Sequence, residues 1–124
     1  MKDREAAAMA DQDVAAILEP LVEHQAFASV EEAARKLVSG FILGEIDEYR
    51  EQIASLEKRY GMSFEQFSAY LKERSSLLTD GQLELQHRKR IAQAVMTEEE
   101  DWLDWKVARE FLESWLGLHA GAAA

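Results

Sequence analysis

The sequence predicts an all-α protein of four to five helices, with one long central helix in a bundle. Three observations lead there. Apolar residues recur three and four apart along nearly the whole chain, and no stretch alternates apolar with polar as a half-buried strand would. One proline and six glycines in 124 residues leave too few turn formers for a β fold. Starts of the form Ser/Thr-x-x-Glu/Gln, which satisfy the first free amides of a helix, recur along the sequence.

Residues 1–12 carry few apolar anchors and are expected to be disordered, so the domain should span 13–116. Val14, Ile17, Leu18, Leu21 and Val22 mark a first helix over about Asp13–Ala26, kinked where Pro20 removes a donor and crowds the Ala16 carbonyl. Ser29-Val-Glu-Glu32 is a capping box opening a long helix that should end at Tyr60-Gly61. There glycine can turn left-handed, and Lys58 and Arg59 complement the helix dipole. Within it Gly40-x-x-x-Gly44, whose two glycines cost roughly 1 kcal/mol each, marks either a close crossing by another helix, the reading preferred here, or a break of the rod near Gly40. Ser63-Phe-Glu-Gln66 starts a helix over about Phe64–Leu77, stapled by Met62 and Phe67. Thr79-Asp-Gly-Gln82 resembles a further start, with Leu78 and Leu83 as a staple, for a helix from about Gln82 to Val95. Thr97-Glu-Glu-Glu100 reads as one more capping box, opening a last helix over about Glu98–Leu116 that carries all three tryptophans. Residues 117–124 read as a disordered tail.

Two surfaces ask for cover. Ile42, Ile46, Tyr49, Ile53, Leu56 and Tyr60 repeat at 4, 3, 4, 3, 4, an a/d seam that would serve a homodimer or pack on the chain's own helices. Glu45 and Arg50 would form the flanking ion pair of a parallel dimer. The last helix has two apolar stripes: Trp102, Trp105, Ala108, Leu112 and Trp115 on one side, Leu103, Val107, Phe111 and Leu118 on another. A helix apolar on two sides must be buried twice over. Either it is a central core helix, or it docks on a partner through Trp102, Trp105, Leu112 and Trp115, with Glu98, Glu99, Glu100 and Asp101 as an acidic rim.

Twenty-four acids against 14 basic residues give a net charge of −10. A field of that sign repels phosphate backbones and suits a basic protein partner. The absence of cysteine removes disulfides, thiolate nucleophiles and Cys-based zinc sites. No apolar run approaches the roughly 20 residues of a membrane span. The opening MKDREAAAMADQD lacks the apolar stretch of a secretory signal, so the cytoplasm is the expected compartment.

No nucleophile–base pattern surrounds His24, His87 or His119, and no phosphate loop, GxSxG elbow or dinucleotide fingerprint occurs. Neither catalytic residues nor a cofactor are expected. The one enzymatic candidate is Glu84-Leu-Gln-His87, a Glu-x-x-His of the kind that ligates di-iron sites in helical bundles. It needs a second copy from a dimer, with Glu48 or Glu51 as further ligands. On a Glu-rich helix it also reads simply as solvated surface. His87-Arg-Lys-Arg90 is the basic cluster, fanned around a helix at about 100° per residue, so it forms no single phosphate-reading face. Glu98–Asp101 lacks the alternating ligands and glycine of a calcium loop.

Leu56–Phe67 (LEKRYGMSFEQF), followed by acids and Trp102-Leu-Asp-Trp105, resembles a group of small acidic prokaryotic proteins with an EKKYGMSFEEF … W-x-x-W pattern. The segment ILEPLVEHQAFASVEEAARKLV, residues 17–38, is similar to the helix-turn-helix half of ribbon-helix-helix antitoxins. The resemblance covers roughly half of the chain and implies an antitoxin-like partner of a small basic toxin. Ribbon-helix-helix proteins read DNA with an N-terminal strand, and residues 1–12 show no such alternation, so DNA reading is not carried over. The expected function is therefore protein binding. An oligomeric adaptor and a metal-binding helical-bundle enzyme are the alternatives.

Overall fold

A computed structural model describes the backbone of residues 2–81 and 83–123, and the side chains of 12–81 and 83–121. The described residues form four helices and no strand: α1 (Lys2–Glu23), α2 (Val30–Tyr60), α3 (Phe64–Thr79) and α4 (Leu85–Ala123). By its contacts the chain divides into two compact units, Met1–Leu43 and Gly44–Ala124, where the sequence reads as one domain.

In the first unit α1 begins at Lys2, so its backbone is helical over a segment expected to be disordered. The reason is propensity: Lys, Arg, Glu, Met and alanine are all strong helix formers, and they need no apolar anchor to extend a helix already started. The helix passes through Pro20 and ends at Glu23, three residues before the expected Ala26. Gln25 stops it by adopting φ 60. The Gln25 amide then donates to Val22 O at 2.9 Å and the Ala26 amide to Leu21 O at 3.0 Å, the paired bonds of a Schellman cap. Leu18 is buried, Leu21 and Val22 are half-buried, and Val14 and Ile17 are exposed.

Helix α2 starts and stops where the sequence places it. Ser29 Oγ accepts the Glu32 amide at 3.1 Å, while the Glu32 carboxylate reaches one residue further back than a standard box, to the Ala28 amide at 2.8 Å. Lys36 and that amide hold the Glu32 carboxyl below its usual range. At the far end Gly61 takes φ 62 and its amide donates to Glu57 O at 2.7 Å. No helix crosses closely at Gly40 or Gly44. Among the described residues nothing lies within 4 Å of where a Cβ would stand on either, and the helix runs through both unbroken.

In the second unit α3 opens on the full Ser63–Gln66 capping box, with both reciprocal bonds present. It runs two residues past the expected Leu77 and closes with Asp80 as C-cap and Gly81 at φ 70. Helix α4 begins at Leu85; the expected start at Gln82 falls outside the described residues. The capping box at Thr97 does not form, and the two helices expected there are one. Thr97 Oγ1 instead donates to the Gln93 carbonyl at 3.5 Å, the bond of a mid-helix threonine. Likewise α4 continues to Ala123 through the expected tail. Gly117 and Gly121 stay out of the left-handed region, and a glycine ends a helix only by entering it.

The core of this unit is aromatic. Leu56 of α2, Phe67 and Leu71 of α3 and Trp105 of α4 are buried together, with Ile53, Tyr60, Met62, Phe64, Tyr70 and Trp102 packed around them. The Phe67 and Trp105 rings stack at 5.6 Å, and Tyr60 lies 4.2 Å from Phe67. Such pairs add about 0.5–1.5 kcal/mol each to the burial itself.

Candidate partner-binding surface

The two stripes of α4 have opposite fates. Trp105 and Ala108 are fully buried, and Trp102, Leu112 and Trp115 are half-buried. Leu103, Val107, Phe111 and Leu118 are exposed, at 54, 38, 49 and 54 %. The tryptophan stripe is thus mainly the core side of the helix. Trp102 Nε1 donates to Ser68 Oγ at 2.8 Å, its ring stacks on Phe64 at 5.8 Å, and Lys106 lies over its outer face at 5.6 Å.

The acids expected as a rim divide in the same way. Glu98 pairs with Arg74, which also donates to the Tyr70 hydroxyl. Asp101 pairs with Arg59 at 3.0 Å and accepts a hydrogen bond from the Tyr60 hydroxyl. These two carboxylates clip α4 to α3 and to the end of α2. Glu99 and Glu100 are left exposed.

The seam on α2 is likewise turned inward. Ile42, Ile46 and Leu56 are buried, at 6, 1 and 8 %, and Tyr49, Ile53 and Tyr60 are half-buried. Leu56, Ile53 and Tyr60 belong to the aromatic core, and Tyr49 stacks on Phe111 at 5.6 Å with an interplanar angle of 11°. From Ile46 onward the seam meets its own unit before it could meet a second copy.

In the second unit the other side of α4 is uncovered; in the first unit Ile17, Leu37, Val38, Phe41 and Leu43 are exposed as well. Between that side of α4 and α2 lies an open groove of about 700 Å³, floored by Tyr49, Leu56, Leu103, Val107 and Phe111. Glu48 and Glu51 edge it on α2 and Asp104 on α4; none of these three enters an ion pair among the described residues. Arg59 also lines the groove, but its charge is met by Asp101. On the opposite flank of α4 a second hollow is lined by Ile53, Phe64, Leu112 and Leu116, with Arg109 over the Phe64 ring at 4.4 Å and bridged to Glu65 at 3.1 Å.

The stripe 103/107/111 is visible in the sequence, as is Tyr49. Their convergence on one groove is not, because spacing marks a stripe as apolar without saying which stripe faces in. Glu84 stands just before α4 and His87 is exposed in its first turn. Among the described residues no three His, Asp or Glu side chains come together as a metal site. No helix there is long and apolar enough to cross a membrane. Compared with family models, curated proteins and solved structures, the chain matches none.

Proposed function

We propose that this chain works by binding, as an antitoxin-like inhibitory partner of a small basic protein in the cytoplasm. One observation carries the reading: an apolar ridge, Leu103-Val107-Phe111, is exposed beside three carboxylates, Glu48, Glu51 and Asp104, that enter no ion pair among the described residues. Exposed apolar surface of this kind costs solubility and is retained where something covers it. Uncompensated carboxylates beside it select for a cationic partner and speed the encounter. The net charge of −10 acts in the same direction at longer range.

The test is purification of the tagged chain from its native host. The expected result is a small basic protein in fixed stoichiometry, whose own activity falls when the complex forms and returns when the complex is dissociated in high salt. Recovery of only neutral or acidic proteins, or a bound basic protein whose activity is untouched, overturns the reading.

A further inference from the structure

We infer that the groove between the second half of α2 and α4 is the seat of an amphipathic, lysine- or arginine-flanked helix supplied by the partner protein. This rests on the protein-binding reading and specifies its chemistry.

Three features select that occupant. The first is secondary structure. An extended peptide gains affinity by adding to a sheet edge, and the described residues contain no strand to receive it. A helix brings its own backbone hydrogen bonds satisfied and needs only side-chain contacts. The second is spacing. Leu103, Val107 and Phe111 stand one turn apart along α4, and Tyr49 stacks on the last of them from α2. The floor is a ladder of about 12 Å that residues at i, i+4 and i+7 of an incoming helix would match. The third is charge. On α4, Asp104 lies about 60° around the helix from Val107, and Glu48 and Glu51 close the α2 edge. A second copy of this chain would bring carboxylates to carboxylates, and an anionic membrane would do the same. A helix with basic flanks brings the matching sign to both edges.

The probe is a synthetic peptide of leucine and lysine, about five helical turns (~18 residues) long, with leucines at i, i+4 and i+7 repeats. A second peptide carries glutamate at every lysine. Binding to the full chain is followed by fluorescence anisotropy and by peptide helicity. The leucine–lysine peptide should bind and become helical while the leucine–glutamate peptide does not. Val107→Glu should weaken binding at least about tenfold, and Val107→Ala should weaken it less. Because Val107 is exposed, melting of both variants should stay close to wild type, which excludes unfolding as the cause.

Equal binding to wild type and Val107→Glu places the peptide elsewhere and overturns the groove assignment, leaving the protein-binding reading intact. No binding of the leucine–lysine peptide also overturns it; the broader reading is then judged by the native-host purification alone. Self-association at low salt that Val107→Glu abolishes, with no peptide present, would assign the groove to a second copy and overturn the inference as well.

Discussion

Tyr60 shows how one side chain ties the second unit together. Burial first, then the hydrogen bond to Asp101 and the charges of Asp101 and Glu98, push its hydroxyl from an ordinary 10.0 up to about 12. The folded chain thus keeps a proton that the unfolded chain has already released. The resulting stability is fully present below about pH 10 and is lost as the pH rises through about 12. Urea midpoints taken across that window should fall for wild type relative to Tyr60→Phe, which has no proton to lose; parallel curves would remove Tyr60 from the account. Two residues of α4 only two positions apart should also behave oppositely. Trp105→Ala empties the middle of the aromatic core and should cost about 3 kcal/mol or more. Leu103→Ala, on the exposed stripe, should cost only about 0.5 kcal/mol, and its effect should appear in binding instead. Equal losses of stability at the two positions would mean that both stripes are core.

At the scale of helices, the sequence is legible where a start signal follows a residue able to break the helix before it. Gly61 at φ 62 precedes the Ser63 start, and that box forms in full. Ahead of the Ser29 start an ordinary residue, Gln25, takes φ 60, and there only the Ser29 half of the box forms, with Glu32 reaching Ala28 instead. Thr97 follows Ala94-Val95-Met96, none of which readily turns left-handed, so the same four-residue pattern is absorbed into a continuous α4. A start motif is ambiguous because threonine and three glutamates also serve as ordinary helix interior. The tail and residues 2–12 mislead for a related reason: lack of apolar anchors argues against packing, not against helix. Which stripe of α4 is core depends on long-range pairing with Phe64 and Phe67, and local periodicity carries no information about that. The consequence is measurable by thermal or urea melts. Ser63→Ala should lose about 1 kcal/mol as a true cap, whereas Thr97→Ala should be neutral or stabilising by a few tenths of a kcal/mol. A loss near 1 kcal/mol at Thr97 would show that α4 is two helices after all.

For the whole molecule the question is why an exposed apolar ridge does not simply pair with its own kind. Its flanks supply the reason. Two copies approaching through Leu103-Val107-Phe111 would confront Glu48, Glu51 and Asp104 with the same carboxylates, on a background of −10 per chain. The α2 seam offers no alternative, because Ile46 is 1 % exposed and Leu56 belongs to the core, so a dimer built there would first have to open the second unit. Charge is therefore what should keep the free chain apart, and charge can be screened. At about 0.01 M salt the screening length is roughly 30 Å, longer than the groove, and at about 1 M it shrinks to roughly 3 Å. Sedimentation at micromolar concentration should give a 14.1 kDa monomer at the low-salt end and reversible self-association at the high-salt end. Replacing the three acids together, Glu48→Gln, Glu51→Gln and Asp104→Asn, should bring that association down to low salt. Adding Val107→Glu to the triple variant should abolish it again. A dimer that persists at every salt concentration and ignores both sets of substitutions would mean that another surface holds it, and that these carboxylates do not guard the ridge.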